Sequence, residues 1–188
     1  MVKRNACVFI SGEGSNLRNL LKRSRDYNFP VSIKLVISNN PKAKGVNFTK
    51  KYSIPYLIVN TKVRNFENII LAYLKRYRIN IICLAGYMRI ISKKFLRSFG
   101  KNVINIHPSL LPKFKGLNTF KRILEKKETK SGCTVHYVND KLDEGKVITQ
   151  KSFYLASNSS ELDLKKKTQK LEYLAYPEAI VKIFRSNF

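Results

Sequence analysis

An alternation constrains this chain more than anything else in it. Short apolar segments, "ACVFIS" (6–11), "SIKLVIS" (32–38), "PYLIV" (55–59), "NIICLAG" (80–86) and "VINIH" (103–107), read as strands. Between them lie helical patterns. "NLRNLLKRS" (16–24) is one. In "FENIILAYLKRY" (66–77), Phe66, Ile69, Ile70, Tyr73, Leu74 and Tyr77 recur at helical spacing, with Lys and Arg opposite. The alternation predicts an α/β fold: a mostly parallel, Rossmann-like sheet with helices on both faces. Ligands of such sheets sit in the crevice beyond the carboxyl ends of the strands. After residue 130 the pattern changes. "GCTVHYV" and "KVITQKSFYL" flank the turn-rich "NDKLDEG", which predicts antiparallel strands added towards the C-terminus. From Ser160 the chain reads as helix, with a bend expected near Pro177. No linker, repeat or low-complexity block interrupts it, so residues 1–188 read as a single domain.

Composition narrows the class. Hydrophobic residues make up 44% of the chain, enough for a core. No apolar stretch is long enough to cross a membrane. "MVKRNACVFISGEGSN" has basic residues and a short apolar run like a signal peptide, but Val8 to Ile10 is too brief and a Gly-rich loop follows it. Cys7, Cys83 and Cys133 are far apart among β-formers and show no metal or Cys-x-x-Cys spacing, which fits buried, reduced thiols. A cytoplasmic protein is expected. The net charge of +25 favours anionic partners: nucleic acid, phosphates or polycarboxylates. The basic residues are spread along the whole chain, which favours a solvated basic surface over specific nucleic-acid binding.

"SGEGSN" follows the first strand and opens the first helix, an arrangement that suits a phosphate. Ser15 or Asn16 is expected to cap that helix. It is not a dinucleotide fingerprint, because Leu17 stands at its sixth position and Ser38, Asn39 and Asn40 end the second strand without an acid. It also lacks the Gly-Lys-Ser/Thr of a triphosphate loop. Alone, it suits a tight turn as well as a monophosphate cradle.

"VINIHPSLLP" (103–112) holds one of two histidines. Asn105 and His107 point to one face of their strand, Ile104 and Ile106 to the other. At the crevice, such a histidine can exchange protons near neutral pH, and the asparagine amide can donate to a developing oxyanion. A structural histidine satisfied by backbone also fits the spacing. Pro108 and Pro112 stiffen the exit. Asp140, Asp143 and Glu144 are the candidate acidic partners, and His136 reads as structural. A carboxylate beside His107 is expected to raise its pKa above about 6.5.

Five stretches in order, "ISGEGSN", "LAGYMRI" (84–90), "INIHPSLLP" (104–112), "FKGL" (114–117) and "GCTVHYVNDKLDEGKVI" (132–148), resemble the phosphoribosylglycinamide formyltransferases, folate-dependent enzymes of purine synthesis. The resemblance covers nearly the whole chain. It implies formyl transfer from 10-formyltetrahydrofolate, a cosubstrate, to the amine of glycinamide ribonucleotide. Metal is not required. By this resemblance Asn105 and His107 are the catalytic pair and Asp143 supports the histidine. Gly14, Ser15 and Asn16 bind the ribonucleotide phosphate, and Glu172 holds the same substrate. Met88, Arg89, Ile90, Ile91, Asn105 and the segment from Asn139 and Asp140 to Asp143 contact the folate. Arg64 stands near a folate-contacting arginine, at a slightly different spacing. Asn118 replaces a common histidine. The implied partners are small molecules, without specific nucleic acid or membrane, in a monomer or homodimer. Two alternatives share the site. Methionyl-tRNA formyltransferase carries an extra C-terminal domain, and formyltetrahydrofolate hydrolase, which uses water as acceptor, an extra N-terminal one. Neither extra domain is expected here.

Overall fold

A computed structural model describes residues 2–185. Five parallel strands come first: β1 (Arg4–Ile10), β2 (Val31–Ser38), β3 (Tyr56–Ile58), β4 (Ile81–Leu84) and β5 (Asn102–His107). The helices α1 (Ser15–Ser24), α2 (Val46–Lys51), α3 (Phe66–Arg76) and α4 (Lys93–Phe99) connect them. Helix α5 (Thr119–Glu125) then leads to β6 (Lys130–Tyr137) and β7 (Val147–Tyr154), both antiparallel to their neighbours, and α6 (Glu161–Arg185) closes the chain. The sheet order is β3-β2-β1-β4-β5-β6-β7. Thus the expected mixed sheet is present. The chain winds outward from β1 in one direction and from β4 in the other. The loops after β1 and β4 therefore flank the crevice where connections reverse, which is where ligands of such sheets bind.

Two apolar layers fill the faces. Ala6, Val8, Ile10, Cys83, Ile104 and Ile106 pack with α1 and α6, while Cys7, Phe9, Ile82, Leu84 and Val103 pack on the opposite face towards α3 and α4. Burial on both faces explains why the central strands read as continuous apolar runs rather than alternating ones. All three cysteines are buried and free. Among the described residues no helix is long and apolar enough to cross a membrane.

Helix α6 begins at a reciprocal cap: the Asp163 N–H donates to Ser160 Oγ at 3.2 Å, and the Ser160 N–H donates back to the Asp163 carboxylate at 3.0 Å. Helix α6 runs through Pro177 to Arg185, as one helix. Proline has no N–H to give the carbonyl four residues earlier. That carbonyl, on Tyr173, accepts instead from Asn19 Nδ2 on α1 at 2.9 Å. Deeper in the same interface the fully buried Tyr176 hydroxyl donates to the Leu84 carbonyl at 2.8 Å and lies 3.3 Å from that of Ile104. It pins α6 to the end of β4 and the middle of β5, next to Asn105.

Candidate active site at the end of the fifth strand

Strand alternation puts Asn105 and His107 on one face of β5, with Ile104 and Ile106 turned into the α1/α6 core. The antiparallel register then sets His136 opposite Asn105 and Thr134 opposite His107. Paired residues share a face, so His136 joins the site. Its expected structural role is compatible with this place beside Asn105. A backbone carbonyl can only accept, so His136 Nδ1–H donates to Tyr137 at 2.8 Å, and Nε2 is left to accept from the Asn105 amide at 3.2 Å.

Asp143 reaches these side chains because its loop folds back tightly over β6. A Cβ on Gly145 would stand 1.6 Å from the Tyr137 carbonyl oxygen, so only glycine permits that approach. Asp143 itself holds a left-handed φ of 52°. Its Oδ2 lies 3.3 Å from His107 Nδ1 and accepts the Gly116 N–H at 2.9 Å; its Oδ1 lies 3.5 Å from the Asn105 amide and 3.6 Å from His136 Nε2. Asp140 and Glu144, the other two candidate acids, turn outward instead. They pair with Lys93 and Lys115, each at 2.8 Å. The structure thus selects Asp143.

His107 has both ring nitrogens engaged. Its Nε2–H donates to the Phe114 carbonyl at 2.8 Å while Nδ1 faces Asp143. It is therefore satisfied by backbone and paired with a carboxylate at once; the two readings of its spacing do not exclude each other. The expected upward pKa shift is not found. Burial is the largest influence and holds the imidazole below its usual value; the Phe114 bond and the Asp143 charge offset it only in part. Burial pushes the Asp143 carboxyl up, but hydrogen bonding, including that from the Gly116 N–H, and the charge of His107 outweigh that and leave it below the usual range. His107 is 5% exposed and Asp143 8% exposed, whereas Asn105 is half-buried. A ligand in the crevice meets Asn105 first.

The Gly-rich loop departs from one expectation. Neither Ser15 nor Asn16 caps α1: Gly14 is the cap residue, in a left-handed conformation without a side-chain bond. The N–H groups of Ser15, Asn16 and Leu17 therefore lack helical partners, and the first turn holds no acid, which favours an anion. Gly14 is buried rather than open: a Cβ there would lie 2.5 Å from the Gly45 Cα. Gly12, by contrast, has open space before it. Asn16 donates from Nδ2 to Glu172 Oε2 at 2.7 Å, joining two predicted site residues from opposite ends of the chain. Burial raises the Glu172 carboxyl and the Asn16 bond lowers it, with a net rise. Asn16 Oδ1 is buried without a partner.

Of the predicted folate segment, Met88 is 65% and Ile90 78% exposed, and Arg89 is exposed too. The Met88 N–H donates to Ser11 Oγ at 2.8 Å, which ties this segment to the Gly-rich loop. Ile91 turns into the core at 7% exposure, so its side chain packs rather than lines the crevice. Asn139 accepts the Lys141 N–H at 3.0 Å and shapes the loop before Asp143. Arg64 is exposed in the turn before α3.

Formyl transferase is the family that matches, over residues 4–180. A phosphoribosylglycinamide formyltransferase of Haemophilus influenzae is 36% identical over 94% of this chain and 85% of its own length. A trifunctional purine biosynthetic protein of Drosophila pseudoobscura pseudoobscura is 41% identical over 95% of this chain, which spans only 14% of that relative. The crystal structure of the Brucella melitensis phosphoribosylglycinamide formyltransferase superposes with a TM-score of 0.92 at 34% identity, covering 97% of this chain and 96% of that one. Fold, motif order and sequence agree, and the chain belongs to the formyl transferase family.

Proposed function

We propose that this chain transfers a formyl group from 10-formyltetrahydrofolate to the amine of glycinamide ribonucleotide, as one cytoplasmic formyltransferase domain of de novo purine synthesis. The observation that carries the reading is the meeting of Asn105, His107 and Asp143 at the carboxyl end of β5. The site's surroundings suit both substrates. The exposed Met88, Ile90 and Leu142 border it with apolar surface for a flat ring, and the free N–H groups of α1 suit a phosphate. Asn16 Oδ1, buried and unpartnered, leaves an acceptor for a donor group of the ribonucleotide, with Glu172 beside it.

A bound formylated folate supplies the activated one-carbon unit; the chain supplies the rest. The Asn105 amide spends one N–H on His136, while its contact with Asp143 at 3.5 Å is long. That second N–H is the one available to the formyl oxygen as negative charge builds there. In the imidazolium form His107 turns an Nδ1–H towards Asp143 Oδ2; it gives this proton to the departing nitrogen and regains one from the attacking amine.

The test compares folded His107→Asn and Asp143→Asn with the parent. Formyl transfer to glycinamide ribonucleotide should fall by about 10²–10⁴-fold in kcat/KM, with folate binding retained. The Asp143 charge raises the His107 pKa, so its loss in Asp143→Asn should shift the rate's pH dependence to lower pH. Near-parental rates in either folded variant would contradict the assignment.

A further inference from the structure

The turn from His107 to Phe114 is held largely by side chains, and the residue that holds most of it lies outside the proposed constellation. Thr134 is fully buried on β6 opposite His107. Its hydroxyl donates to the Ser109 carbonyl at 2.7 Å and accepts the Leu111 N–H at 3.1 Å. Gln150 on β7 donates to the same hydroxyl at 2.9 Å and to the Leu111 carbonyl at 2.8 Å. Within the turn, the Ser109 hydroxyl donates to the Lys113 carbonyl at 2.6 Å. The turn then returns the Phe114 carbonyl to His107 Nε2 at 2.8 Å. Phe114 has a left-handed φ of 58°, a conformation such a residue keeps only where its surroundings impose it.

We propose that Thr134, braced by Gln150, is a positioning residue for His107: it fixes the turn whose Phe114 carbonyl sets the proton on Nε2 and aims Nδ1 at Asp143. This rests on the proposed role of His107 in formyl transfer. The geometry also predicts how loss of the anchor appears. Three groups act on the His107 charge from neighbouring elements: Asp143 from the loop after β6, His136 from β6 and Arg122 from α5. The Thr134 hydroxyl bonds Ser109, Leu111 and Gln150 instead. The Phe114 carbonyl is the partner that moves, and a carbonyl acceptor favours the protonated ring.

The chain has only two histidines, so the imidazole nitrogens can be followed directly by long-range proton–nitrogen NMR across pH, without substrate. In the parent, neutral His107 should carry its proton on Nε2. Thr134→Val keeps the branched shape and deletes the hydroxyl. It should mix the two tautomers, lower the His107 titration midpoint and cut kcat by about 10²-fold with little change in the KM of the ribonucleotide. Thr134→Ser should restore all three. Gln150→Leu, at the exposed strand edge, should shift the same readings less, and decides the question if Thr134→Val does not fold. A parental tautomer and midpoint in the folded variant overturns the proposal. The NMR readout does not depend on which acceptor is formylated. An altered tautomer in a protein that transfers nothing to glycinamide ribonucleotide would sink the proposed function and leave the positioning role standing.

Discussion

His107 and Gly14 show how far single residues could be read before folding. The alternation of faces in "VINIH" correctly separates Asn105 and His107 from Ile104 and Ile106. Spacing alone left three acids open for the histidine and only the family resemblance singled out Asp143, because the choice rests on Gly145 letting the loop close over β6. His136 was hidden for a related reason: its place beside Asn105 depends on the β5–β6 register, which sequence does not carry. Gly14 teaches the opposite lesson. Its left-handed φ of 73° and its contact with Gly45 make it a structural glycine. A bulky residue there would push α2 away and blur any effect on ligand binding. Gly12 is the better probe, since a side chain there meets nothing within 4 Å. Gly12→Val should leave the melting temperature within a degree or two of the parent and raise the KM of glycinamide ribonucleotide strongly, with folate affinity little changed. Unchanged ribonucleotide KM in that variant would place the phosphate elsewhere.

Among elements, those with a full period of their own were the legible ones. The strands and the two longer helices α1 and α3 were visible in apolar spacing, while α2, α4 and α5 have only 6, 7 and 7 residues. Two turns are too short for periodicity to separate them from loop. Helix α6 was visible through Pro177, but what replaces the missing helical bond was not, because it comes from Asn19 on another helix. That compensation makes a testable cycle. Asn19→Leu strands the Tyr173 carbonyl and should cost about 1–3 kcal/mol of stability in urea unfolding. Pro177→Ala restores an N–H to that carbonyl. In the Asn19→Leu background it should recover more stability than it adds to the parent, giving a coupling of about 0.5 kcal/mol or more. Strict additivity would mean that Asn19 does not substitute for the missing helical bond.

Across the whole molecule, fold and chemistry meet at the crevice beside β1, β4 and β5. The Gly-rich loop and the 88–90 segment flank it, linked by the Ser11–Met88 bond, and the His107 cluster stands on the adjoining strand. The alternation of strands and helices made this placement foreseeable, since it dictates a parallel sheet and so a single ligand rim. The net charge of +25 did not. It agrees with a phosphorylated substrate and a carboxylate-tailed folate, and equally with a solvated surface. The choice among acceptors is therefore the most direct test of the account. At fixed ionic strength, the rate of formyl transfer from 10-formyltetrahydrofolate should be measured with glycinamide ribonucleotide, with charged initiator tRNA and with water alone. Saturable transfer to glycinamide ribonucleotide is expected, orders of magnitude faster than formate release, and none to tRNA. Formate release or tRNA formylation at a rate matching or exceeding transfer to the ribonucleotide would contradict it.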